Sequence, residues 1–173
     1  KDESGVTGLK MYSTSRSGTG PWEKENAFIH NNDRYSVGHP ALTPDGNRLY
    51  FTSNRPGGKG GTDIWYCEKA GIGGWGPAAN AEGINTEGNE MFPFITTDNV
   101  LFFASDGHKG LGGLDVMMAN VTGTTFSKVR NPGAPINSTA DDLGFVLRNS
   151  SSGYFSSDRL GGKGDDDIYS VTI

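Results

Sequence analysis

The chain has 173 residues, of which 34% are hydrophobic and 20% charged, and a formal net charge of −5. This composition is that of a folded domain rather than a disordered chain. It contains no apolar run long enough to cross a bilayer and no stripe of Lys and Arg that would neutralise phosphates, so we expect neither direct membrane insertion nor a nucleic-acid partner.

The predicted elements are short β-strands, because the 27 glycines separate brief apolar runs and no segment has a helical period. In chain order, the pattern predicts strands C and D of one unit in 8–35, complete four-stranded units in 38–83 and 91–134, and strands A to C of a further unit in 143–173. The Asp45-Gly46 pair predicts a hairpin turn between strands A and B of the first complete unit.

A repeat of 52 residues underlies this order. The string LYFTSNRPGGKGGTDIWY at 49–66 returns as LFFASDGHKGLGGLDVMM at 101–118 and as GYFSSDRLGGKGDDDIYS at 153–170. The aromatic pairs in the B strands are predicted to be core. Four strands in a period near 50 residues are typical of a β-propeller, whose blades stack around a channel. The shared polar positions predicted to be structural are Ser53, Ser105, Ser157, Asp63, Asp115 and Asp167.

The number of strands predicts an incomplete ring. Units of two, four, four and three strands provide fewer than the roughly 16 that the smallest closed propeller needs. We therefore expect the chain to be part of a larger, six-bladed propeller that the rest of the ring or a second chain closes. The open ends are expected to expose apolar faces and unpaired strand edges, which favour association.

The string P-x-x-T-P-D-G-x-x-L-Y-F-T-S-N-R at 40–55, followed by DIWY, resembles the PD40 repeat of TolB-like propellers. The later copies depart from it, because Thr97-Asp98-Asn99 and 149–152 replace Pro-Asp-Gly. The Gly-Gly-Lys-Gly loops and the string I-N-T-x-x-N-E-x-F-P-F at 84–94 are similar to the propellers of Bacteroidetes OmpA-family envelope proteins, among them a periplasmic lipoprotein of the type IX secretion system.

This resemblance implies a non-catalytic scaffold that binds a protein partner in the periplasm. It also implies outer-membrane association through a lipid anchor not present in this sequence, and peptidoglycan contact only through a flanking domain absent from it. No export signal opens the sequence, so we expect any signal to have been removed or to lie outside it. The alternative is a small-ligand or glycan-binding propeller, or the gating module of an enzyme whose catalytic domain is absent.

Motifs that carry chemistry are missing. The glycine-rich loops lack the P-loop ending, no nucleophile elbow or zinc motif is present, and the histidines fall at unrelated repeat positions, with His39 expected at a turn or rim. Cys67 is predicted to be a small packed residue. The loop aspartates could be ligands of a Ca²⁺ ion, but hydrogen bonding to loop N–H groups explains the recurring aspartate better. We expect no cofactor, no metal and no enzymatic activity.

Antiparallel alternation places the B-to-C and D-to-A connections on one face, and loops held by a rigid scaffold are where binding residues concentrate. The predicted contact surface is basic with acidic flanks. Its residues either bind a partner or are solvated charges without an energetic role. In the second case some of them could pair with each other, as Arg55 with Glu90. These residues are Arg55, Lys59, Glu90, His108, Lys109, Asp141, Asp142, Arg159 and Lys163.

Overall fold

A computed structural model describes residues 8–71 and 74–172, and this part of the chain is all-β, without a helix. The predicted all-β class is therefore confirmed. The strands are β1 (Tyr12–Ser13), β2 (Asn26–Ala27), β3 (Val37–Leu42), β4 (Arg48–Ser53), β5 (Asp63–Ala70), β6 (Gly74–Trp75), β7 (Ala79–Asn80), β8 (Glu90–Ile95), β9 (Val100–Ser105), β10 (Asp115–Thr122), β11 (Thr125–Arg130), β12 (Asp142–Asn149), β13 (Ser152–Ser157) and β14 (Asp167–Thr172).

The strands form three main antiparallel sheets that follow one another along the chain. The first sheet has the order β3-β4-β5, with β6 and β7 pairing with different parts of the outer edge of β5. The second sheet is β8-β9-β10-β11 and the third is β12-β13-β14. The strands β1 and β2 pair with each other as a separate ladder ahead of the first sheet. Each sheet is thus a meander of consecutive strands, as the local hairpin signals predict.

Successive sheets pack face to face. One core cluster joins the first and second sheets through Tyr50, Ile64 and Phe103, and another joins the second and third through Phe102 and Phe155. A third cluster joins the β1–β2 ladder to the first sheet. Because neighbouring residues of a strand point to opposite faces, an aromatic pair in a B strand serves two interfaces at once.

The aromatic pair of the third sheet departs from this pattern. Phe155 is buried against the second sheet, but Tyr154 is 39% exposed on the outer face. The prediction that every such aromatic is core is wrong at this position, because no described residue packs on that side. Val146 of β12 and Ile168 of β14 are exposed on the same face.

The A strands begin earlier than the strings PALT, PFIT and GFVL predict, by three residues in β3 and β8 and by two in β12. The register shifts within β3, β8 and β12, which marks a β-bulge in each. At each bulge one residue adopts a positive φ: His39 (49°), Phe92 (53°) and Gly144 (63°). His39 therefore lies inside a strand, stacked on Phe92 at 3.9 Å between ring centroids, and the expectation of a turn residue is wrong.

The D strands are less regular than the repeat predicts. In the first sheet the D segment breaks into β6 and β7, whereas β11 is continuous. Trp22, aligned by sequence with Trp75, lies outside any strand and is exposed; the ladder strand β2 begins four residues later.

Across residues 8–71 and 74–172 there is no helix of the length and apolarity needed to cross a membrane.

Candidate functional site: the loop face

The first two of the loops that follow the B strands lie against the linkers that precede the next A strands, and the third loop has no such linker against it among the described residues. We call the surface built by loops 54–62, 106–114 and 158–166 with linkers 81–89 and 131–141 the loop face. In the first loop, Gly61 N–H donates to Gly88 O at 2.8 Å, and Thr62 N–H donates to Asn89 Oδ1 at 3.1 Å. A β-carbon on Gly60 would lie 2.2 Å from Gly88 O, so only glycine allows this approach.

The recurring serines and aspartates hold each loop at its two ends. Each serine hydroxyl, buried at the end of a B strand, accepts from the N–H two residues on, as Ser105 does from Gly107 at 3.1 Å. Each aspartate accepts from the N–H groups three and four residues before it, as Asp115 does from Leu111 and Gly112 at 3.0 Å. The same bonds recur at Asp63 and Asp167. Loop N–H groups that would otherwise need water are thereby satisfied.

Two carboxylates assigned to the contact surface are instead fully buried. Glu90 accepts from Thr86 N–H, from the Thr86 hydroxyl and from the Ser105 hydroxyl. Asp142 holds Ser138 in the same way and pairs with Arg159. Glu90 and Asp142 therefore tie linker to sheet and cannot contact a partner, and neither pairs with Arg55. Sequence reasoning placed them at the surface because charged residues usually lie there.

His108 and Arg159 are also half-buried and reach equivalent linker carbonyls. His108 Nε2 lies 2.7 Å from Ile84 O, and Arg159 Nη2 lies 2.6 Å from Ile136 O. The guanidinium group of Arg55 instead stacks over the Trp65 ring, with 5.0 Å between Cζ and the ring centroid. Each of these three side chains therefore contacts another part of the fold.

An asparagine in each linker was not among the predicted residues. Asn137 accepts from Val116 N–H and donates to Val116 O, both at 2.8 Å, and Asn85 does the same with Ile64 at 2.9 Å. We call this arrangement the asparagine clamp. Both asparagines are buried. The signal was in the sequence, since Ile-Asn-Thr and Ile-Asn-Ser stand at equivalent places in the two linkers.

A further acidic position joins loop and linker near the surface. Asp106 accepts from Asn89 N–H and Asp158 from Asp141 N–H, at 2.6 and 2.7 Å. Asp141 itself accepts from Leu114 N–H at 2.8 Å and is half-buried. Asp141 is thus the one acidic residue of the predicted surface that is partly accessible.

The three predicted lysines are exposed. Lys59, Lys109 and Lys163 stand one on each loop, and none forms an ion pair within residues 8–71 and 74–172. Their ammonium groups project from backbone that the serine and aspartate bonds hold in place. The loop face therefore exposes a lysine on each loop, beside the carboxylates of Asp106 and Asp158 and, on the third loop, of Asp165 and Asp166.

The opposite face carries a groove of about 610 Å³ between the first two sheets. The guanidinium group of Arg48, which lines this groove, already makes contacts within the fold. It pairs with Glu68, donates to Gly123 O at 2.6 Å and stacks over the Tyr66 ring. A ligand would have to displace these contacts to use that charge.

Groups suited to metal binding do not converge in the part of the chain that the structure describes. No cluster of three or more His, Cys, Asp or Glu side chains there could hold a metal ion. Burial raises the pKa of the Cys67 thiol to about 12, so at neutral pH it is not a thiolate nucleophile. Comparison with known proteins adds no identity, since no family model and no curated protein matches the sequence.

Proposed function

We propose that the stacked sheets are blades of a PD40-type, six-bladed β-propeller, and that the chain is a non-catalytic scaffold whose loop face binds a protein partner. The bacterial envelope is the proposed location, in the periplasm and anchored at the outer membrane through a lipid group outside this sequence. The resemblance of the repeat to OmpA-family envelope propellers supports the location. The face-to-face packing of the sheets supports the ring.

One observation carries the binding function: three successive loops are held by equivalent hydrogen bonds. Lys59 and Lys163 stand at the same position of their loops, and Lys109 stands two residues earlier in the middle loop. A surface ordered before binding loses less conformational entropy when a partner docks. Loop residues on a rigid scaffold are the usual carriers of recognition. The repeated backbone contacts therefore favour a docking surface over solvated loops.

The charge pattern indicates the partner's chemistry. Lys59, Lys109 and Lys163 are exposed without ion pairs among the described residues, whereas Asp106 and Asp158 accept hydrogen bonds from linker N–H groups. We therefore propose a protein partner that presents carboxylates to the loop tips. Such contacts act mainly on the association rate and weaken with salt.

The test is capture of an envelope partner by the immobilised chain. A variant with Lys59, Lys109 and Lys163 changed to Ala is expected to fold normally and to lose most of the capture at low salt. The matched control changes Lys24, Lys69 and Lys128, which are exposed away from the loops, and it should capture as the parent does. Equal capture by both variants would place the site elsewhere.

Thermal-shift measurements with Ca²⁺, sugars and muropeptides separate this proposal from the ligand-binding alternative. The scaffold proposal expects no stabilisation by any of them, because Asp63, Asp115 and Asp167 already accept hydrogen bonds from loop N–H groups and the described residues contain no cluster of acidic or histidine ligands suited to a metal ion. A saturable shift with a sugar would favour the glycan-binding propeller.

A further inference from the structure

The outer face of the third sheet repeats the surface that each earlier sheet uses to receive its successor. Asparagine clamps occur at three equivalent places, each joining a linker to the C strand before it. They join Asn31 to Met11, Asn85 to Ile64 and Asn137 to Val116. In each case the clamp lies where the following sheet begins.

The fourth equivalent position has no clamp. Ile168 stands one repeat after Val116 and pairs with Ser156 as Val116 pairs with Ala104. Because the register is the same, the N–H and C=O of Ile168 point to the free edge of β14. Its side chain is 79% exposed, against 1% for Val116.

Two neighbouring positions are open in the same way. A β-carbon on Gly112 would lie 2.1 Å from Ala140 O of the linker, but one on Gly164, a repeat later, would meet nothing within 4 Å. Phe102 is covered by Phe145 at 4.6 Å between ring centroids, whereas its equivalent Tyr154 is exposed. The backbone of Ile168, the side chain of Tyr154 and the space above Gly164 are therefore all open on the same sheet.

We propose that this face docks a further repeat of the same type, through a linker carrying an aliphatic residue, asparagine and Ser or Thr, followed by an A strand. The asparagine clamps Ile168, the linker backbone lies on Gly164, and an apolar side chain of the A strand covers Tyr154. The argument for this occupant is continuity with the two interfaces that the chain already contains. It rests on sheet stacking alone, so failure of the lysine experiment leaves it intact.

A second copy of this chain fits the face less well. The three clamp asparagines of such a copy, Asn31, Asn85 and Asn137, are already bonded to its own strands, so it cannot supply a clamp from them without opening one of its own interfaces. An end-to-end contact of apolar faces would leave the backbone of Ile168 unpaired.

The probe is a labelled synthetic peptide with the sequence of residues 131–149, NPGAPINSTADDLGFVLRN, added to the whole chain. We expect saturable binding by fluorescence anisotropy and slowed hydrogen exchange of the Ile168 N–H by NMR. The matched peptide with Asn137→Leu loses two hydrogen bonds to backbone and should bind about tenfold more weakly.

Chain variants locate the contact. Ile168→Glu, at an exposed position, should fold and lose peptide binding, while Ile29→Glu, exposed at the opposite end of the stack, should bind as the parent does. Equal binding of the two peptides overturns the proposal, as does an absence of saturable binding at millimolar peptide. A concentration-dependent dimer that Ile168→Glu abolishes also overturns it, because the occupant would then be a second copy.

Discussion

The second and third sheets are built from the same repeat but differ in what covers them. In the second sheet Val116 is buried, its backbone is clamped by Asn137, and a linker lies on the glycine-rich loop. In the third sheet the equivalent Ile168 and Tyr154 are exposed, although the strand pairing is unchanged. In this repeat, strand pairing therefore depends on the sequence of the sheet itself, whereas burial of the sheet's face depends on the neighbouring sheet.

The carboxylate loops show the same division. Asp115 and Asp167 accept from equivalent N–H groups, yet Asp115 is buried and Asp167 only half-buried. The loop conformation is thus the same with and without a covering linker. Where the linker is present, it excludes water from the aspartate. Removing a side chain should cost more wherever the linker is present.

The largest expected effect comes from the core position that distinguishes a covered sheet from an open one. Ile64→Ala is expected to lower the free energy of unfolding by about 2 to 5 kcal/mol, because it leaves a cavity between two sheets. Ile168→Ala, at the equivalent exposed site, should change it by less than about 0.5 kcal/mol. Urea unfolding of both variants checks this difference, and similar losses would mean that the third sheet is covered in solution.

Removal of one clamp should have the next largest effect. Asn137→Ala leaves the buried N–H and C=O of Val116 without partners, which should cost about 1 to 3 kcal/mol. Asn26→Ala, at an exposed asparagine of β2, is the control and should have little effect. A chemical unfolding midpoint unchanged by Asn137→Ala would show that water replaces the clamp.

The loop aspartates provide a smaller contrast. Asp115→Ala is expected to cost about 1 to 3 kcal/mol through loop N–H groups left unpaired, and Asp167→Ala less, since water reaches that loop. Both losses should be the same in Ca²⁺ and in chelator when measured by thermal unfolding. If chelator alone reproduced the effect of Asp115→Ala in the parent, the aspartate would be a metal ligand.

The smallest effect expected is a pH dependence at the bulge of β3. Burial lowers the pKa of His39 from its usual 6.5, so the unfolded chain takes up this proton more readily than the folded one. The histidine is neutral in both states at higher pH, and stability falls as the pH drops through about 6.5. His39→Phe, the residue found at the equivalent position 92, should reduce the loss of Tm between pH 7.5 and 5.5. An identical loss in the variant would place the titration elsewhere.

The sequence by itself determined the 52-residue period, the positions of the B and C strands and the all-β class, because these depend on hydrophobic pattern and turn residues within each repeat. The equivalence of Ser105 with Ser157 and of Asp115 with Asp167 could likewise be read from spacing. Sequence reasoning failed where a side chain's surroundings come from another repeat. It placed Glu90 and Asp142 at the surface, missed the asparagine clamp and treated Tyr154 as core.

Only the tertiary structure decided these cases, and the reason is physical. A carboxylate or amide can be buried where its hydrogen bonds are made, and here the partners are backbone and hydroxyl groups that linkers and strands distant in the sequence bring together. Whether an aromatic is core depends equally on the sheet that faces it. Local sequence therefore specifies each sheet, while the contacts between repeats determine which polar groups are buried and which faces remain open.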